Sequence, residues 1–260
     1  MEKLTTRFIN AKKEFLDSKA SEKSVENLYD IIYFLKNIKE RNFEENYVLA
    51  EIYNLVGENI FASKIIEESL VNAKGKEIEG LKSIQNKIEN QLDNLNVKIY
   101  RDLRDSKLIK EPTKLNIEDF IIEKDIDNSY CIKISKRINN IIILNKNIKN
   151  GAGFGDYYIF SSKEPNDYLL TQLIDYIKWL GQIKSELLVF YNSSSFKHKF
   201  NSVGQKWYDG LNVFDFSIEI DEDNSFVTEI ILHDYLQNDF GFRLGIENKI
   251  LKSIEYDPNL

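Results

Sequence analysis

Apolar residues recur every three or four positions through the first hundred residues of the chain, and every second position through the last fifty. In the first region Val25, Leu28, Ile32, Leu35 and Ile38 form one stripe, the spacing of a helix that buries a single face. A further helix is predicted from about Phe43 to Val56, with Gly57 as its C-cap, and another from about Ile60 to Val71. Leu81, Ile84, Ile88, Leu92, Leu95, Ile99 and Leu103 keep the same period and predict one long helix of roughly 33 Å. About five helices are therefore expected over residues 1–105.

Residues 106–116 read as a linker broken by Pro112, and 117–260 as a second domain. Short β-type runs follow at Tyr130–Ser135, Asn140–Leu144 and Tyr157–Ser161, then a helix over about 166–184, then a strand over Leu187–Tyr191. Phe214, Phe216, Ile218 and Ile220 alternate with Asp215, Ser217, Glu219 and Asp221. Phe226 to Leu232, Phe240 to Ile246 and Ile250 to Tyr256 continue the pattern. The expected fold class is α+β: an N-terminal α-helical repeat, then an α+β domain whose mainly antiparallel sheet is covered on its greasy face by the 166–184 helix.

Charge sharpens this picture. The 260 residues carry a formal net charge of −7, which argues against nucleic acid as a partner. Residues 1–106 are nearly balanced, with 19 acids and 17 bases. From Trp207 to Phe242 there are nine acids and neither Lys nor Arg. The single cysteine, Cys131, rules out an internal disulfide framework, and the longest pure apolar run, Ile141 to Leu144, is far too short to span a membrane. The chain opens without an apolar leader, so a cytoplasmic setting is expected.

Candidate catalytic chemistry is thin. Gly151-Ala-Gly-Phe-Gly155 leads into a strand rather than a helix and lacks the Lys-Ser/Thr of a phosphate loop, so it reads as a turn. Asp221-Glu-Asp-Asn-Ser225 begins like a calcium loop, but Phe226 stands where glycine is needed and Leu232 where a bidentate Glu is needed. It reads as a solvated hairpin turn. Cys131 reads as a buried filler. His198 has nothing to orient it, and His233 and Asp234 point to opposite faces of one strand. No cofactor or metal is called for, and no pair among the 42 acids is singled out for acid–base work.

Two resemblances add to the reading. Leu49, Ala50, Tyr53, Gly57, Ala62, Ile66 and Ser69 fall where a tetratricopeptide repeat places its small and bulky packing residues, and Leu28, Ile32 and Leu35 precede three of them by 34 positions. The preceding helix does not keep register and no proline closes the repeat at Lys74, so this resembles a degenerate array of one to two units. Trp207-Tyr208-Asp209-Gly210-Leu211 and the strands after it are similar to the C-terminal part of small α+β domains in bacterial proteins, some of them immunity proteins that neutralise toxins. That resemblance implies a stoichiometric, catalytically empty inhibitor.

The expected function is protein binding. Asp215, Glu219 and Asp221 share one outer strand face, Asp209 and Asp223 lie beside it, and Trp207, Tyr208 and Tyr235 flank it as aromatic anchors for a basic partner such as a toxin domain. Arg243 would sit among those acids. A scaffold that holds a peptide in the helical-repeat groove is the first alternative, and a metal-dependent hydrolase or nuclease with a carboxylate site the second.

Overall fold

The computed structural model describes residues 3–257 apart from 93–97, 126–127, 151–156, 198, 200–201 and 235–239. The Gly151–Gly155 segment, His198 and Tyr235 lie outside the described residues. The chain divides into two compact units at Asp105/Ser106, the first helical and the second a mostly antiparallel sheet with helices, an α+β arrangement.

The first unit holds α1 (Leu4–Asp17), α2 (Glu22–Lys36), α3 (Phe43–Leu55), α4 (Asn59–Leu70) and α5 (Lys76–Leu92). Local chemistry sets the starts. The Ser21 side chain accepts from the Ser24 amide, and Asn42 and Glu45 satisfy each other's amides in a capping box. Leu28, Ile31, Ile32 and Leu35 of α2 are buried against Leu49 and Ile52 of α3, Ile66 of α4 and Leu81 and Ile84 of α5. Residues 98–103 are neither helix nor strand, so the long helix expected to reach Leu103 ends at Leu92. These residues fold back on the bundle. The Tyr100 amide donates to the Val56 carbonyl at 2.8 Å, and the Tyr29 hydroxyl donates to the Tyr100 carbonyl at 3.0 Å. Gly57, at φ +83°, makes room for that return: a Cβ there would stand 2.5 Å from the Lys98 carbonyl oxygen.

The second unit holds a seven-stranded sheet. Its strands are β1 (Phe120–Lys124), β2 (Tyr130–Ile134), β5 (Tyr157–Ser161), β6 (Leu211–Ile220), β7 (Phe226–Asp234), β8 (Phe240–Glu247) and β9 (Ile250–Asp257), hydrogen-bonded in that order. A separate hairpin pairs β3 (Asn140–Ile143) with β4 (Lys146–Lys149). Neighbours in the large sheet are antiparallel except β5 and β6, which are parallel and joined through α7 (Asp167–Leu180), α8 (Lys184–Ser193) and α9 (Gln205–Gly210). The strand expected at Leu187–Tyr191 is thus α8. Five apolar residues suit either element, and the crossover between parallel strands demands helix here.

All three helices of the crossover reach the same sheet face. Tyr176 of α7 donates to Thr228 at 2.9 Å and stacks on Phe226 with centroids 4.7 Å apart. Tyr191 of α8 lies with its hydroxyl 3.4 Å from that of Tyr256, and Trp207 of α9 stacks on Phe242. Residues 106–116 belong to this unit rather than forming a free linker. Arg104–Lys107 is a single helical turn, α6, and Asn145 binds the backbone of Ser106 within it and of Leu108 and Lys110 beyond it. The Ile142 amide donates to Thr113 at 2.8 Å.

One polar group is central to the helical unit. Glu51 of α3 is buried, and its two oxygens accept from Lys12 of α1 at 2.8 Å and Lys87 of α5 at 2.9 Å. Burial alone would raise this carboxyl's pKa, but the two lysine hydrogen bonds outweigh it and hold it below the usual carboxylate range. A depressed folded value contributes stability above the unfolded pKa and loses it as pH falls through the folded one. We expect Glu51→Gln to destabilise the unit by about 1–3 kcal/mol at pH 7, with the difference from wild type shrinking below about pH 4. Urea denaturation followed by circular dichroism at several pH values checks both statements.

Candidate functional site

With the helices on one face, the alternation of each strand sends every second side chain to the other, outer face. On β6 the inner side chains are Leu211, Val213, Phe216, Ile218 and Ile220, all buried. The register shifts between Val213 and Asp215 where β6 pairs with β7. This bulge adds a residue, so Phe214 turns outward instead of joining the core as its spacing from Phe216 suggested. It is 41% exposed and stacks on His233 with centroids 5.4 Å apart.

The outer face is mostly acidic. Asp215 is half-buried and Glu219 is exposed on β6, and the neighbouring strands add Glu229, Glu247 and Glu255, all exposed. Asp215, Ile231, Arg243 and Glu255 form one cross-strand row, and Arg243 also reaches Asp257 at 3.9 Å. The expectation that Arg243 sits among the acids therefore matches the pairing. Asp221 and Asp223 lie in the exposed turn between β6 and β7, closed by the Asp221 amide donating to the Ser225 carbonyl at 3.0 Å. Hydrogen bonds from the Ser225 amide and hydroxyl hold the Asp223 carboxyl below its usual range.

Trp207, Tyr208 and Asp209 stand elsewhere. All three are buried in α9, on the helix-covered side of the sheet, so they are not exposed anchors beside the acids. The Trp207 indole donates to Asp234 at 2.6 Å, and Tyr256 donates to the same carboxylate at 3.3 Å. Asp234 is fully buried. Desolvation, helped by the Tyr191 hydroxyl and the Asp234 charge, pushes the Tyr256 hydroxyl far above its ordinary pKa, so Tyr256 stays a donor. Around Tyr208, Lys184 sits 5.4 Å from the ring centroid and Lys146 6.0 Å. Lys146 is buried and donates to the Asp209 carbonyl at 2.8 Å, joining the β3–β4 hairpin to α9. Burial, with Asp209 and Glu186 nearby, pushes the Tyr208 hydroxyl up as well. The aromatic run that opens the immunity-type resemblance is thus a structural clamp.

Other aromatics occupy the outer face. Tyr158 and Phe160 of β5 stack in parallel with centroids 6.2 Å apart, and the parallel register places them beside Ser217 and Glu219. Tyr158 is 46% exposed. Ile231 and Val227 of β7 extend this apolar strip among the acids. The alternation in Tyr157-Tyr158-Ile159-Phe160 is visible in the sequence, but nothing there says that β5 lies next to β6. Cys131 also faces outward, half-buried rather than a core filler, and burial raises its thiol pKa.

Among the described residues no three His, Cys, Asp or Glu side chains gather as a metal site requires, and no helix is long and apolar enough to cross a membrane. Comparison with protein-family models, with curated proteins and with solved structures returns no match. The likenesses to tetratricopeptide repeats and to immunity domains therefore rest on the residues quoted above.

The clamp yields a direct expectation. Trp207→Phe removes a hydrogen bond to a buried carboxylate and should cost the second unit about 1–3 kcal/mol. Trp179, the other tryptophan, lies in the same unit, so its fluorescence during urea denaturation reports the loss. A midpoint equal to wild type would show that the indole hydrogen bond is dispensable.

Proposed function

We propose that this chain is a non-catalytic binding protein, an inhibitor of the immunity type, that docks a basic protein surface such as a toxin domain on the outer face of its sheet. The observation that carries the reading is the uncovered face itself. It presents Glu219, Glu229 and Glu255 around exposed Tyr158 and Phe214, with Glu247 paired to Lys252 at 3.2 Å and Arg243 as the cation of its central row. Glu219 and Glu229, diagonal neighbours across β6 and β7, repel each other and add nothing to the core. Opposite charge on a partner relieves that repulsion, speeds encounter and excludes acidic competitors. Aromatic rings give such a face the desolvated centre from which binding energy comes. The fit is to a cationic protein of the same compartment, the cytoplasm.

The test is charge reversal at exposed positions. The wild-type chain captures its partner from the native host at low salt, and the association rate is then measured with the purified pair. Glu219→Lys, Glu229→Lys and Glu255→Lys together should slow association at least about tenfold and flatten its salt dependence. An unchanged thermal melt shows that the fold is intact. Association as fast as wild type by a folded variant would overturn the acidic-face reading.

A further inference from the structure

The helical unit carries a groove that the sheet-face reading does not use. It lies between α2, α3 and α4, encloses about 440 Å³, and has aromatic walls: Tyr29 and Tyr33 of α2, Tyr53 of α3 and Phe61 of α4. Phe61 lies 5.5 Å from the Tyr53 ring yet remains 53% exposed, and Ile65, one turn further along α4, is half-buried beside it. A large ring left open to water on a packed bundle is an unfilled contact surface.

The charge of the groove is opposite to that of the chain. Lys36, Arg41, Lys64 and Arg101 line it, against Glu58 and Glu68, in a protein whose net charge is −7. Arg101 and Glu58 pair with each other at 3.2 Å. Among the described residues Lys36, Arg41 and Lys64 have no ion-pair partner. Arg41 is held in place by neutral groups, its Nε donating to Asn46 at 2.8 Å. Three cations converging on an aromatic trough favour an anionic ligand with an apolar side chain.

The bundle also displays how such a ligand is held. The chain's own non-helical residues 98–103 lie against the same helices, gripped by main chain through Val56 and the Tyr29 hydroxyl. Tyr33 donates to an acidic side chain of that segment, Asp102, at 3.1 Å. Two tyrosines of the groove thus already serve a peptide carbonyl and a carboxylate. A second, parallel segment beside it would meet Lys36, Arg41, Lys64, Tyr53 and Phe61. A nucleic acid is the weaker fit, because the negative field of the whole chain opposes the approach of a long polyanion.

We propose that this groove binds an acidic, extended peptide segment of a partner protein, its carboxylates on Lys36, Arg41 and Lys64 and one bulky apolar side chain between Tyr53, Phe61 and Ile65. This site is in the other unit from the sheet face and selects the opposite charge, so the two stand or fall separately.

Fluorescence anisotropy with the full chain tests it. Two matched arrays of labelled peptides of about twelve residues are used, with Phe or Leu at shared positions and either Asp and Glu or Lys at the rest. The best acidic peptides should bind at least about tenfold more tightly than their lysine twins, and more weakly as salt rises. Lys36→Glu with Lys64→Glu should lose about tenfold in affinity. Phe61→Ala should weaken binding while leaving its salt dependence intact. All three positions are exposed, so the fold should survive, as a thermal melt confirms. The sheet-face triple reversal should bind these peptides as wild type does. The proposal is overturned if no acidic peptide outbinds its lysine twin, if the folded Lys36→Glu, Lys64→Glu protein binds unchanged, or if single-stranded oligothymidylate binds more tightly than every acidic peptide.

Discussion

Burial of one side of the sheet beneath α7, α8 and α9 is the constraint on which the second unit depends. Because β5 and β6 are parallel, the chain must leave the sheet, cross it and return in the same direction. That detour supplies α7, α8 and α9, all of which pack on the inner face. Tyr176 on Thr228, Tyr191 beside Tyr256 and Trp207 on Asp234 fix the three helices in turn. With all the covering elements spent on one side, the other side keeps its charges and its rings in water. The acidic outer face is therefore the direct counterpart of a one-sided core.

The helical unit solves a different problem. Five short helices bury a continuous stripe, but α1, α3 and α5 also meet around a carboxylate, Glu51, which two lysines neutralise. Burying one charge between two opposite ones costs less than leaving it alone. On the far side of α2 the chain returns through residues 98–103 past Gly57. One segment of the aromatic trough is thereby filled from within, and the part lined by Lys36, Lys64 and Phe61 stays open.

Much of this could be read from residue spacing. The stripes of α2 and α5 and the alternation of β6 to β9 come from periods of 3.6 and 2, which burial imposes directly. What spacing could not reveal was anything decided by a neighbour distant in sequence. Leu187–Tyr191 is apolar enough for a strand and is a helix because it lies in a crossover. Phe214 continues an inward pattern on paper and faces out because β6 bulges against β7. Trp207, Tyr208 and Asp209 stand in an acidic stretch yet are buried by contacts with Asp234, Lys146 and Lys184. Conversely, Tyr158 and Phe160 join the outer face through a pairing with β6 that no local pattern announces. Of the acids on the outer face, spacing singled out only Asp215 and Glu219; Glu229, Glu247 and Glu255 join them, and the aromatic rings reach them, through strand pairing.

The parallel β5–β6 pair also governs the order in which the molecule can assemble. Tyr157 meets Phe216 across that seam, so the pairing closes a loop of nearly sixty residues before any of its own hydrogen bonds can form. The β6–β9 meander needs only short closures and can condense early. The β5–β6 seam is the longest closure among the described pairings of the sheet, and until it forms β5 and β6 each expose an unsatisfied edge. The acid-rich stretch on one of those edges then acts as a gatekeeper: its charges discourage strand-to-strand association between half-folded chains at the stage when they are most exposed to it.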